Sequence, residues 1–315
     1  MINGMINHWV LLSAYIIAFI IGFPANILAI YAFIRKLADS PTPTDILLLN
    51  LTASDILFLV FLPLKMYEAA SGLQWHLPQI LCSITSFVFF TTIYTSSLLL
   101  MAVSVDRYLG VAFPIAYRKS RRIVYAVAGS IFIWLVSAGH CTIVFFTVHL
   151  RENDGNATKT ACYENFTESQ NKIVLPMRLE FFVVLCLVPL LVCVFCYLSC
   201  IWILYTKPRI VKEKKKRAIG MAAGTLTVFL VCFLPYNISH VVGYSSNESP
   251  PWRYYTLLLS TFNTCLDPII FYFSSSIYRN TTRLSFWRFL SLSQHARMGL
   301  TLARYSRFQV DMGSG

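Results

Sequence analysis

Long apolar runs broken by short polar ones dominate this chain from end to end. Seven of them lie near 9–34, 45–69, 80–110, 123–148, 173–205, 217–243 and 254–273. A helix that crosses the hydrocarbon of a bilayer needs about 20 mainly apolar residues. As helices, these runs satisfy their backbone polar groups internally, which lipid demands. The pattern predicts an all-α membrane protein, a seven-transmembrane helix bundle that forms a single domain over 1–315. Past residue 273, "SSSIYRNTTRLSFWRFLSL" sets Ile277, Leu284, Phe286, Trp287, Phe289 and Leu290 among arginines. That spacing suits a short amphipathic helix lying on the membrane after the seventh span.

Composition agrees. The chain of 315 residues is 57% hydrophobic and only 13% charged, more apolar surface than a soluble domain of this size could hide. Charge then sets the orientation. With the N-terminus outside, the cytoplasmic side holds Arg35, Lys36, Arg107, the basic residues of 118–122, the run from Lys207 to Arg217, and the arginines of the tail. That is 20 of the 26 basic residues, and such asymmetry marks the inside. The expected place is the plasma membrane, with an extracellular N-terminus and a cytoplasmic tail from about 274. The net charge of +12 reads as topology and attraction to anionic membrane lipid, not as nucleic-acid binding. The first span follows the start too closely for a separate signal peptide, so it is expected to serve as the targeting signal itself.

Most of the nine cysteines lie within spans, where cysteine behaves as a small apolar residue. Cys82 and Cys162 stand apart, at the outer start of span three and in the long second outer loop. In an oxidising compartment their pairing would pin that loop over the bundle; two free thiols are the alternative. Asn156 in "NAT" and Asn165 in "NFT" are glycosylation acceptors in the same loop, and Asn247 in "NES" is a third, in a shorter one.

Charges near or inside the spans carry the chemistry. "IVLPMRLEFFVVLCLVPLLVCVFCYL", residues 173–198, holds Arg178 and Glu180 near its start. A charge in such a place is costly unless it faces partners or water inside the protein. Span six offers Tyr236 and His240 at its outer end, four residues apart and so on one helical face. Span seven begins near Arg253, and span four carries His140 near its outer end. Groups at similar depth on four spans point to a shared cavity. Arginine's planar fork suits a carboxylate, and two arginines facing one cavity would repel unless an anion joined them. Taken singly, each arginine could instead snorkel to the headgroups, and His240 could be an ordinary hydrogen-bonded histidine. Glu180, two residues from Arg178, falls on roughly the opposite helix face, so it is not expected to be its partner. Asp55 and Asp267 are carboxylates within the membrane; close carboxylates rarely both ionise, so one proton shared between them is one reading. There is no nucleophile–base or metal-ligand constellation of an enzyme, and no cofactor is implied.

The ordered motifs narrow the class. "GFPANILAI" carries Asn26, "LNLTASDILF" carries Asp55, and span three ends in "SVDRYLGVAFP". Trp134 follows in span four, Pro189 and Tyr197 in span five, "CFLPYN" in span six and "NTCLDPIIFYF" in span seven. Over nearly the whole chain this set resembles the rhodopsin-like G-protein-coupled receptors. "SAGHCTIV", "CYENFT", "VLPMRLE", "PYNISHVVGY", "ESPPWR" and "DPIIFYFSSS" further resemble the free fatty acid receptors, most nearly the two that sense short-chain fatty acids.

That resemblance implies a ligand such as acetate, propionate or butyrate. It implies signalling through heterotrimeric G proteins of the inhibitory and phospholipase-linked classes, with arrestin as a further partner. It makes Arg178, His240 and Arg253 the carboxylate anchors, with His140 and Tyr236 in support. Glu164 resembles a glutamate that pairs with a pocket arginine when ligand is absent; a solvated loop acid is the alternative. Phe90 stands where one of the two receptors has tyrosine and the other phenylalanine, which leans toward propionate and butyrate over acetate. At the cytoplasmic end, Asp106, Arg107 and Tyr108 match the family's switch motif, in which the arginine pairs with Asp106 at rest and with Tyr197 when active. The chain departs from the family where Asp267-Pro268-x-x-Phe271 replaces Asn-Pro-x-x-Tyr, and where Phe233 replaces a tryptophan. Asp55, Ser96, Asn263 and Asp267 match a sodium site of relatives that favours the resting state, and oxygen ligands suit a hard cation. Two rival readings remain: a carboxylate transporter using Asp55 and Asp267 as a proton relay, and a receptor for another small acid or a longer fatty acid.

Overall fold

The computed structural model describes residues 7–120, 122–152, 162–163, 166–206, 212–274 and 278–281. Seven helices long and apolar enough to cross a membrane run through them. They are α1 (His8–Asp39), α2 (Pro43–Ala70), α3 (Gln79–Ala112), α4 (Ile123–Thr147), α5 (Glu168–Thr206), α6 (Lys215–Ser246) and α7 (Arg253–Phe273). No strand occurs among the described residues. Each apolar run became one of these helices, with its middle where the pattern put it. The ends reach further because polar residues cap them. "TPTD" starts α2 with a capping box in which Thr42 and Asp45 satisfy each other's backbone N–H, and Pro43 fills the first turn. Thr167 and Gln170 form the same box at the head of α5, several residues before its apolar run begins.

The central helix is α3. In its most apolar stretch 78% of residues are buried, against 33% in α1 and 28% in α4, which lie at the edge. The outer faces stay apolar, with Ile20, Phe132, Leu135 and Trp202 largely exposed, as a surface in contact with lipid requires. Lipid tails are as apolar as leucine, so packing and cross-helix hydrogen bonds hold such helices together. Ser54 Oγ donates to the Thr92 carbonyl (3.1 Å), tying α2 to α3, and Trp134 Nε1 donates to Asn50 Oδ1 (3.2 Å), tying α4 to α2.

Proline leaves the carbonyl four residues before it without its usual donor, and in α5 and α7 a neighbouring helix supplies one. Ahead of Pro189, α5 widens into a π-type turn over Phe182–Leu187, and Ser97 of α3 donates to the Leu185 carbonyl at 2.7 Å. Ahead of Pro235, α6 widens likewise over Val228–Phe233, and there Ser260 of α7 donates to the Cys232 carbonyl, three residues before the proline, at 2.8 Å. Four residues before Pro268, the Thr264 carbonyl takes Nδ2 of Asn26 at 2.8 Å.

The two ends of the bundle differ. At one, Cys82 and Cys162 form a disulfide. The same short segment is held a second time, because the Cys162 N–H donates to Glu68 Oε1 (2.6 Å) while Lys65 pairs with Glu68 Oε2 (2.8 Å). At the other end lies Arg107. Tyr278–Thr281 is helical; the remainder of the expected amphipathic helix lies outside the described residues.

Candidate ligand-binding site

Near the disulfide end, α3, α4, α5, α6 and α7 enclose a narrow chamber. Arg178, Tyr236, His240 and Arg253 line it, with Phe90, Tyr94, Tyr163 and Phe181 as its aromatic walls. Arg178, His240 and Arg253 are 5%, 2% and 2% exposed, so none of them reaches out of the bundle. They face inward because each falls on the buried stripe of its helix: Arg178 follows Val174 and Leu175, and His240 lies one turn beyond Tyr236. Arg253 is the first residue of α7 and enters the bundle from its end.

Local partners set the geometry of each cation. Arg253 Nη2 donates to the Tyr236 hydroxyl (2.7 Å), and its guanidinium lies 5.1 Å from the centre of the same ring. Arg178 Nη1 donates to Ser249 Oγ (2.7 Å), and its guanidinium stacks 5.0 Å from the centre of Phe166. His240 Nε2 lies 3.2 Å from the Tyr94 hydroxyl, and the imidazole stands edge-on to Tyr236 at 4.7 Å. Its Nδ1 has no hydrogen-bond partner among the described residues. When the tyrosine donates to Nε2, the imidazole proton sits on Nδ1 and is available to an acceptor. Phe90 is wedged between Tyr236 (6.3 Å, nearly parallel) and Tyr163 (5.4 Å). Burial raises the Tyr163 hydroxyl above its ordinary pKa, against the pull of Arg178 and Arg253, so it remains a neutral donor at pH 7.

Five of the residues expected at a shared site, Phe90, Arg178, Tyr236, His240 and Arg253, meet in this chamber. His140 does not join them. Its Nδ1 lies 2.7 Å from the Val136 carbonyl and its Nε2 3.1 Å from Glu180 Oε1, and Phe181 stands against its ring on the way to Tyr94. Glu180, two residues from Arg178 and so on another face of α5, reaches His140 of α4. Tyr94 and Phe181 were missed. Tyr94 lies four residues from Phe90 on the same face of α3, which was the available signal. Glu164, Asn156 and Asn165 lie outside the described residues. Asn247 is exposed, in a left-handed conformation at the end of α6 (φ 55°).

In the middle of the bundle, Asp55 and Asp267 are buried and face each other. Among the described residues, their four oxygens have no hydrogen-bond partner outside the pair, and Asn263 Oδ1 has none. Ser96 Oγ is 3.2 Å from Ser54 Oγ. Two facing carboxylates fit a small hard cation and fit a shared proton equally well.

At the far end, the Asp106 carboxylate accepts from two hydroxyls. Thr44 Oγ1 donates to it from α2, and the Tyr117 hydroxyl donates from the short helix Pro114–Ser120. Tyr108 packs on Phe113 and Phe195. The Tyr197 hydroxyl lies 3.1 Å from Thr225 Oγ1. Phe271, where a hydroxyl is missing, packs edge-on against Phe33 and Tyr278 beside Pro268.

Comparison with known proteins adds the lineage. The family model for the seven-transmembrane receptors of the rhodopsin family matches residues 25–271. Free fatty acid receptor 3 of Mus musculus is 48% identical over 278 residues, covering 87% of this chain and 85% of the relative. Free fatty acid receptor 2 of Homo sapiens is 46% identical over 281 residues, with coverage of 87% and 85%. Free fatty acid receptor 1 of Mesocricetus auratus is more distant, at 31% identity over 270 residues, covering 82% of this chain and 89% of the relative.

Proposed function

The chain belongs to the rhodopsin family of seven-transmembrane receptors, and from that premise we propose that it is a cell-surface receptor for short-chain fatty acids that signals through heterotrimeric G proteins. One observation carries the ligand: Arg178, His240 and Arg253, from three different helices, line one buried aromatic chamber. Guanidinium groups held in place by Ser249, Phe166 and Tyr236 present a fixed fork to a carboxylate. His240 Nδ1 adds a third donor. The aromatic walls leave little room for a tail, which favours acids of a few carbons over long fatty acids. The relatives named as free fatty acid receptors 2 and 3, at nearly half identity over most of the chain, support the same reading.

In this reading the disulfide end faces outside, so that a ligand reaches the chamber from the extracellular fluid, and the Arg107 end meets the G protein. Inhibitory and phospholipase-linked G proteins are the classes proposed, with arrestin as a later partner. Asp106, Arg107, Tyr108 and Tyr197, with Pro268 and Phe271, would form the switch. Release of Asp106 from Thr44 and Tyr117 would free the short helix that follows α3. A ligand as small as propionate sets its own affinity limit. At a ceiling of about 1.5 kcal/mol per heavy atom, roughly five atoms give about 7 kcal/mol, a dissociation constant near 10 µM at best. Such a receptor monitors an abundant metabolite.

The test is G-protein activation by propionate in cells expressing wild type or Arg178→Ala at matched surface levels. The wild type is expected to respond between tens of micromolar and millimolar acid, and the variant to lose the response. An unchanged response in Arg178→Ala would move the carboxylate elsewhere. A silent wild type would leave the receptor class standing and remove the ligand. Uptake of labelled propionate without G-protein activation would favour a carrier.

A further inference from the structure

Ser249 belongs to the connection between α6 and α7, a stretch outside every apolar run, and it is half-buried. It accepts the 2.7 Å hydrogen bond from Arg178 Nη1 on α5. The connection is short and braced. Asn247 turns it in the left-handed conformation (φ 55°), and Ser246 Oγ donates to the Glu248 carbonyl at 3.0 Å. Pro250 and Pro251 fix two backbone angles, and the Pro250 carbonyl takes the Arg253 N–H at 3.1 Å. Gly243 lets this stretch lie close on α6, since a Cβ there would stand 3.4 Å from the Glu248 carbonyl oxygen and 3.5 Å from Leu175. Ser249 thus stands on a rigid strap whose far end, four residues on, is Arg253 itself.

The strap solves a physical problem of the chamber. Two guanidinium groups converge there, and their mutual repulsion pushes a long side chain such as Arg178 toward other rotamers. Phe166 fixes the plane of its guanidinium from one side, and Ser249 fixes its rotation in that plane by taking one Nη1 proton. The remaining N–H groups of the fork are thereby aimed, which lowers the ordering cost that a bound carboxylate would otherwise meet. A hydroxyl that accepts from arginine also keeps its own proton to donate.

We infer that Ser249 is a positioning residue of the carboxylate site, and that the α6–α7 connection is a strap coupling the two anchoring arginines through the protein. The inference rests on the carboxylate reading above. It is tested with the full-length receptor at matched surface expression, measuring G-protein activation by acetate, propionate and butyrate for wild type, Ser249→Ala, Ser249→Thr and Arg178→Ala. Ser249→Ala is expected to lower potency about fivefold, a modest effect for a hydrogen bond to a charged group at a half-buried site. The factor should be the same for all three acids, because they share the head group and differ only in the tail. Ser249→Thr, which keeps the hydroxyl, should restore potency. Wild-type potency in Ser249→Ala beside a silent Arg178→Ala would overturn the role of Ser249 alone. A loss that threonine does not restore, or that grows with tail length, would overturn it too, pointing to a reshaped chamber. A wild type silent to all three acids would overturn the carboxylate reading itself.

Discussion

Phe90 lies between two tyrosines, stacked on Tyr236 and tilted against Tyr163, and on the carboxylate reading its size would set how far an acid's tail can extend. Phe90→Ala is therefore expected to favour longer acids. Each added methylene that finds apolar surface gains about 0.8 kcal/mol, roughly fourfold in affinity. The potency of pentanoate relative to propionate should rise severalfold in the variant, read from concentration–response curves; an unchanged ratio would place the tail elsewhere. At this scale the sequence was informative where chemistry was out of place. Arg178 beside an apolar run, and Tyr236 with His240 one turn apart, announced themselves. His140 misled, because depth along a helix can be read from sequence while the direction a side chain faces depends on its neighbours. In the structure Glu180 and the Val136 carbonyl claim both of its nitrogens. Ser249 was invisible, since one serine in a polar connection looks like any other until the fold brings Arg178 to it.

Among the helices, the proline-freed carbonyls are the points where one element depends on another. Ser97 exists, in this account, for the Leu185 carbonyl that Pro189 leaves without a donor. Ser97→Ala should lower stability by about 1 kcal/mol, the cost of a buried carbonyl losing its partner. In a Pro189→Ala background the restored N–H can serve that carbonyl, and the same serine change should then cost little. Thermal unfolding of the four purified receptors in detergent measures this coupling; equal losses in both backgrounds would dissociate Ser97 from Pro189. The helices themselves were legible as apolar runs bounded by charge. Their extra turns were legible only in part, through the capping pairs Thr42–Asp45 and Thr167–Gln170. The prolines announced bends, but the wide turns over Phe182–Leu187 and Val228–Phe233 leave no periodic signal, because they depend on which neighbour offers a hydroxyl.

Across the whole bundle, the pair Asp55 and Asp267 joins α2 to α7 at mid-depth, between the chamber and the Arg107 end. If sodium is held there by these carboxylates with Ser96 and Asn263, it binds one arrangement of the helices better than the other and shifts the balance between them. Replacing sodium by choline at constant ionic strength should then raise propionate potency severalfold in isolated membranes. Asp55→Asn should abolish that difference, and a sodium effect that survives in Asp55→Asn would disprove the site. The segment at Cys162 and Tyr163 has a different bearing on the molecule. It is bolted to α3 by the disulfide and to α2 through Glu68, and Tyr163 presses on Phe90. A roof fastened at two points is a poor door. On the carboxylate reading, a small acid would therefore come and go by another way, with that roof staying shut.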